Sequence, residues 1–205
     1  MNEQTFETSV AKEQKKEAIE WIRIWCEDTE SPLPRVALIG DSITEQIFQG
    51  MKKALEGVAN IDFLATSYSI ISPTYAAMVK AFVEDSDYAV VYFNYGLHAN
   101  FVSIADYEGA YRKELELFLK KSKVLIGTTT DVQTQESDVV NARVQGRNAC
   151  ARKLAKEFGL QADEAYEISV EMGAGGKNED GVHFNEKGIK RLVEHKAELL
   201  KTLLQ

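Results

Sequence analysis

The sequence predicts an α/β protein: an open, mostly parallel sheet of about five strands, with helices on both faces. Two observations carry this. Short apolar runs alternate along the chain with longer amphipathic stretches, the pattern of successive strand and helix units. Tyr88–Phe93 is nearly all apolar or aromatic, as a strand must be when both of its faces are covered.

Each element follows in order. Residues 9–27 carry helix formers, with Ile19, Ile22, Trp25 and Cys26 at helical spacing, and the run stops before the breaker Ser31-Pro-Leu-Pro34. This predicts an N-terminal helical extension over 1–34, packed on a core domain spanning 35–205. Val36–Ile39 reads as a buried strand, and Ile43–Leu55 as a helix stopped near Gly57. Ile61–Ala65 is a second strand, left through Thr66-Ser-Tyr-Ser69, and 73–84 is helical. After the strand Tyr88–Phe93, Asp106–Lys121 is a helix with Tyr107, Tyr111, Leu115 and Leu119 on one stripe. Val124–Gly127 is a fourth strand, 138–157 a helix ending near Gly159, and 160–169 best fits a short fifth strand. Glu171–Gly181 is a glycine-rich loop, and Asn185–Leu204 closes the chain as a helix.

At 205 residues one domain is the natural count. A chain this long buries roughly 70% of the surface its unfolded form exposes, so it needs no covalent staples. Net charge is −8, from 32 acidic and 24 basic residues. That balance argues against a nucleic-acid backbone or an anionic membrane surface as partner. The N-terminal residues lack the apolar centre of a secretory leader, and no run has the length of a membrane span. Cys26 and Cys150 are therefore expected to be reduced thiols in a cytoplasmic protein.

Two segments carry the chemistry. In Val36-Ala-Leu-Ile-Gly40-Asp41-Ser42, an apolar run ends abruptly and a helix begins. Ser42 falls beyond the carboxyl end of the first strand, where open parallel sheets bind ligands. At a helix start its own N–H points outward with positive dipole character, suited to an oxyanion. A serine at such a turn is also an ordinary helix cap. Far downstream, Asp180-Gly-Val-His183 precedes the last helix. Histidine is the natural base for a serine near neutral pH, and a carboxylate three residues earlier can fix its tautomer. The alternative is a loop aspartate capping the last helix beside a half-buried histidine.

Gly40-Asp41-Ser42-Ile43 after a strand, followed by Asp180-x-x-His183 before the last helix, resembles the first and last blocks of the GDSL, or SGNH, hydrolase superfamily. The resemblance runs over nearly the whole chain from Arg35 on. It implies a flavodoxin-like, three-layer α/β/α fold and ester hydrolysis, with Ser42 as nucleophile, His183 as base and Asp180 as its orienter. The middle blocks depart from the usual pattern. Ala65-Thr-Ser67-Tyr-Ser69 stands where a glycine usually offers its N–H to the oxyanion, which makes Ser67 the candidate donor. Asn94-Tyr-Gly96-Leu-His98-Ala-Asn100 stands for the usual Gly-x-Asn-Asp. Aligned on Gly96, His98 takes the place of the oxyanion-binding asparagine, with Asn94 and Asn100 as rivals. These Ala-Thr-Ser and Gly-Leu-His sequences are similar to those of a branch of SGNH-like hydrolases that includes acetylesterases.

The expected substrate is thus a small acyl ester of acetyl type, on a carbohydrate by family analogy, with lysophospholipid or acyl thioester still open. No metal or organic cofactor is expected, since the three histidines and two cysteines show no zinc spacing. The contrasting expectation is a binding module on the same fold with a degenerate oxyanion site. Gly173-Ala-Gly-Gly-Lys177 is not a phosphate loop, because Glu171 and Asn178 occupy its required glycine and Ser/Thr positions. Tyr107, Tyr111, Phe118 and Trp21 read as core and His195 as a packing residue, whereas Tyr68 lies where it could stack on a substrate. Residues 1–34 fit either packing over a sheet edge or formation of a homodimer.

Overall fold

The computed structural model describes residues 16–205. Six strands, β1 (Ile22–Trp25), β2 (Arg35–Gly40), β3 (Asn60–Thr66), β4 (Tyr88–Phe93), β5 (Lys123–Gly127) and β6 (Gln161–Asp163), form one sheet in the order β1-β3-β2-β4-β5-β6. All neighbours are parallel except β1, which runs antiparallel along β3 with Ile22 opposite Thr66 and Trp25 opposite Phe63. Without β1 the order is that of a flavodoxin-like doubly wound sheet.

Helices α1 (Ser42–Ala54), α2 (Pro73–Glu84), α3 (Ile104–Phe118), α4 (Ser137–Phe158), α5 (Ala165–Met172) and α6 (Glu186–Leu204) complete three layers. Side chains of β2 alternate between the two cores. Ala37 and Ile39 face α2, α3 and α4, whereas Val36 and Leu38 face α1, α5 and α6. Tyr107, Tyr111 and Phe118 lie in the first core, as expected. Among the described residues no helix is long and apolar enough to cross a membrane.

Two departures matter. The predicted N-terminal helix is not found where the chain is described: 22–25 is an edge strand, and the earlier half of the prediction lies in residues 1–15, outside the described residues. The segment 160–169 holds the predicted short strand, but it gives way at once to α5. The loop from 171 onward contains one 3-10 turn, Gly173–Gly176.

Candidate active site

β2 ends at Gly40, and glycine is required there. A Cβ would fall 2.1 Å from Thr44 Oγ1 and 3.4 Å from the Asn94 carbonyl. The buried Asp41 then caps α1, its carboxylate accepting the Ile43 N–H at 3.0 Å. Capping is therefore done by Asp41, which leaves the Ser42 side chain free for other work. Ser42 is half-buried at the first turn, and its N–H has no partner among the described residues. It stands at the junction of β2 and β4, the point where the strand order reverses and where such sheets bind ligands.

The loop before α6 brings the other two residues. Ser42 Oγ lies 2.8 Å from His183 Nε2, and His183 Nδ1 lies 2.7 Å from Asp180 Oδ2. The second oxygen of Asp180 accepts the N–H groups of Val182 and His183, both at 2.9 Å. Burial works against the Asp180 carboxylate, but the His183 ring and these two amides outweigh it and hold the carboxyl at about 2. An ionised carboxylate only accepts, so it places a proton on Nδ1 and turns Nε2 into an acceptor for the serine hydroxyl. Asp180 does not cap α6, a role taken by Asn185. The site is open, with about a third of the His183 side chain and half of the Asp180 side chain exposed.

The loop is pinned from below. Asn178 N–H donates to the His183 carbonyl at 2.8 Å, and Gln133 N–H to the Gly181 carbonyl at 2.7 Å. Gly181 has φ +68°, and a Cβ there would strike the Gln133 carbonyl, so the close approach needs glycine. Buried Lys177 donates to the carbonyls of Asp131 at 2.8 Å and Val182 at 3.2 Å, with its ammonium 3.6 Å from the centre of the Phe184 ring. Burial lowers the Lys177 ammonium to about 8, against the pull of Asp131.

The expected oxyanion donors fare differently. The Ser67 N–H donates to the Trp21 carbonyl at 3.2 Å, and its hydroxyl accepts the Trp21 N–H at 2.9 Å. Both groups of Ser67 are thus engaged by the chain leading into β1. Asn94 is also committed, its amide donating to the Gly127 carbonyl at 2.9 Å and Thr129 Oγ1 at 3.2 Å. Gly96 allows close packing, since a Cβ would fall 2.0 Å from Thr129 Oγ1. Asn100 is exposed. His98 Nδ1 sits 3.1 Å from Glu17 Oε2, and its ring meets Trp21 edge-on at 6.3 Å. No described residue pairs with its Nε2.

Sequence reasoning missed what shapes this turn. Arg147, fully buried on α4, donates to the carbonyls of Gly96 (3.0 Å), His98 and Ala99. Glu17 accepts the Ala99 N–H at 2.6 Å. These contacts hold Ala99 at φ +55°, a conformation costly for a residue with a Cβ. Only the folded topology shows that Arg147 and Glu17 serve this turn. Tyr68 is half-buried beside it, its carbonyl accepting the Tyr95 hydroxyl. Among the described residues no group of three or more His, Cys, Asp or Glu is placed to hold a metal. Both cysteines are free, Cys26 exposed and Cys150 buried.

The sheet order and the three layers define a flavodoxin-like, three-layer α/β/α fold, and solved structures share it. A lipase/acylhydrolase from Enterococcus faecalis matches with TM-score 0.66 at 15% identity, over 83% of this chain and 96% of that one. An acetylxylan esterase from Geobacillus stearothermophilus matches with TM-score 0.65 at 14% identity, over 82% and 93%. A GDSL-like lipase from Bacteroides thetaiotaomicron matches with TM-score 0.62 at 16% identity, over 83% and 87%. The chain has the fold of the GDSL-type, or SGNH, hydrolases. No family model matches the chain, and no curated protein is significantly similar to it in sequence.

Proposed function

We propose that the chain is a serine esterase that cleaves a short-acyl oxygen ester of acetyl type, carried by a carbohydrate alcohol. The observation that carries this is the unbroken hydrogen-bonded chain from Ser42 Oγ through His183 to Asp180. Nε2 of His183 takes the hydroxyl proton as Oγ attacks the acyl carbonyl. The Ser42 N–H, at the positive end of α1, faces the oxyanion that forms. His183 then gives its proton to the departing alcohol oxygen. It next removes a proton from the water that frees the acid and restores Ser42. Asp180 stays ionised throughout and keeps the imidazole in one tautomer. No step needs a metal or an organic cofactor.

A second oxyanion donor comes from His98 in this reading. A carboxylate already occupies its Nδ1–H side, so Nε2 donates only from the doubly protonated ring, paired with Glu17. The carbohydrate alcohol rests on the fold shared with an acetylxylan esterase and on the sequence resemblance. The committed N–H of Ser67 and side chain of Asn94 favour the rival reading, a binding module with a lost oxyanion site. A fluorophosphonate separates the two. Stoichiometric labelling at Ser42, located by peptide mass, is the expected result. Folded protein that takes up no label contradicts the esterase.

A further inference from the structure

Among the described residues, two side chains of α1 hydrogen-bond to the loop before α6, and Ser42, bonded to His183, is only one of them. One helical turn after Ser42, the amide of Gln46 meets the backbone of Phe184 at both ends. Its Nε2 donates to the Phe184 carbonyl at 3.2 Å, and its Oε1 accepts the Phe184 N–H at 3.1 Å. Residues four apart on a helix lie on one face, so the two contacts stack as adjacent rungs. Phe184 follows His183 directly, and its ring is buried against α1 and α6. The His183 carbonyl is held from the opposite side by the Asn178 N–H. The peptide between His183 and Phe184 is thus fixed on both sides.

From this geometry we infer that Gln46 is a positioning residue: its two-point bond to Phe184 sets the distance between Ser42 Oγ and His183 Nε2. The inference rests on the esterase reading. The two bonds of the site are held differently. Asp180 and His183 sit three residues apart in one loop, and their bond lies within it. Ser42 and His183 are 141 residues apart and belong to different elements, so their separation depends on what ties those elements together. Gln46 supplies that tie with a donor and an acceptor. Neither an aliphatic residue nor a shorter amide can replace both.

The test compares wild type with Gln46→Ala and Gln46→Glu. The glutamate keeps the acceptor for the Phe184 N–H and loses the donor for its carbonyl. Hydrolysis of p-nitrophenyl acetate gives kcat and KM, and fluorophosphonate gives the labelling rate at Ser42. Proton NMR follows the His183 Nδ1–H that is bonded to Asp180. For Gln46→Ala the expected result is a fall in kcat of about 10- to 100-fold, with KM within about twofold. Labelling slows by the same factor, and the Nδ1–H resonance persists because the Asp180 pair is untouched. Gln46→Glu, which turns a carboxylate oxygen towards the Phe184 carbonyl, loses at least as much. A variant as active as an active wild type overturns the clamp alone. So does a loss that follows only the unfolded fraction, or one that removes the Nδ1–H resonance as well, since each describes general damage to the loop. A wild type that neither labels nor turns over overturns the esterase reading, and this inference with it.

Discussion

Glu114 should make the stability of the protein fall as pH rises towards 7 and above. Its residue is 5% exposed on α3, beside a groove of about 510 Å³ that Ser72, Ala76 and Gly109 also line. No described side chain bonds or pairs with its carboxyl, and burial pushes that group from 4.5 up to about 7. The folded protein therefore holds this proton over a range where the unfolded chain has released it. Below about pH 4.5 both states are protonated and the group costs nothing. As pH rises towards 7 the cost grows, and above 7 it is complete. Raised from 4.5 to about 7, the group costs about 3 kcal/mol of stability at pH 8, where about a tenth of it is still protonated in the fold. Glu114→Gln keeps the shape and removes the titration. Urea unfolding of both proteins at pH 4 and pH 8 isolates the effect, because the change in packing cancels in the double difference. The variant should gain about 3 kcal/mol on wild type between the two pH values. Parallel curves for the two proteins would refute a buried, unpaired carboxyl.

Other expectations follow from the site. On the esterase reading, Asp180→Asn turns a donor towards Nδ1, drives the proton onto Nε2 and disarms the base, so kcat should fall by about 10³- to 10⁴-fold with little change in melting temperature. Arg147→Met strips a charged donor from three buried carbonyls and should cost about 3 kcal/mol or more in urea unfolding, with a loss of kcat as the 96–99 turn relaxes. Gly40→Ala drives a methyl into Thr44 and should lower stability by about 1–3 kcal/mol, seen as a drop in Tm.

The part of the site that local pattern controls was legible in the sequence. An apolar run broken by Gly40-Asp41-Ser42 announces a strand-to-helix turn, and Asp180 and His183 are near enough in sequence to find each other within one loop. The remaining contacts depend on segments that only the fold brings together. Gln46 looks like a solvated helix position until Phe184 arrives beside it, and Arg147 looks the same until the 96–99 turn does. β1 was misread for a related reason. Ile19, Ile22, Trp25 and Cys26 satisfy a helical period, but pairing along the free edge of β3 decides the conformation instead. That pairing also engages Ser67, whose N–H and hydroxyl are both bonded to Trp21 at the entry to β1. The strand α5 follows was foreseen, whereas α5 itself spans only eight residues, too few for a clear helical period.

Hydrolysis of p-nitrophenyl acetate, butyrate and octanoate by wild type and Ser42→Ala decides whether Ser42 is an esterase nucleophile. Turnover should be highest on the acetate, fall with acyl length and disappear in the variant. Equal, near-background rates for both folded proteins would contradict it.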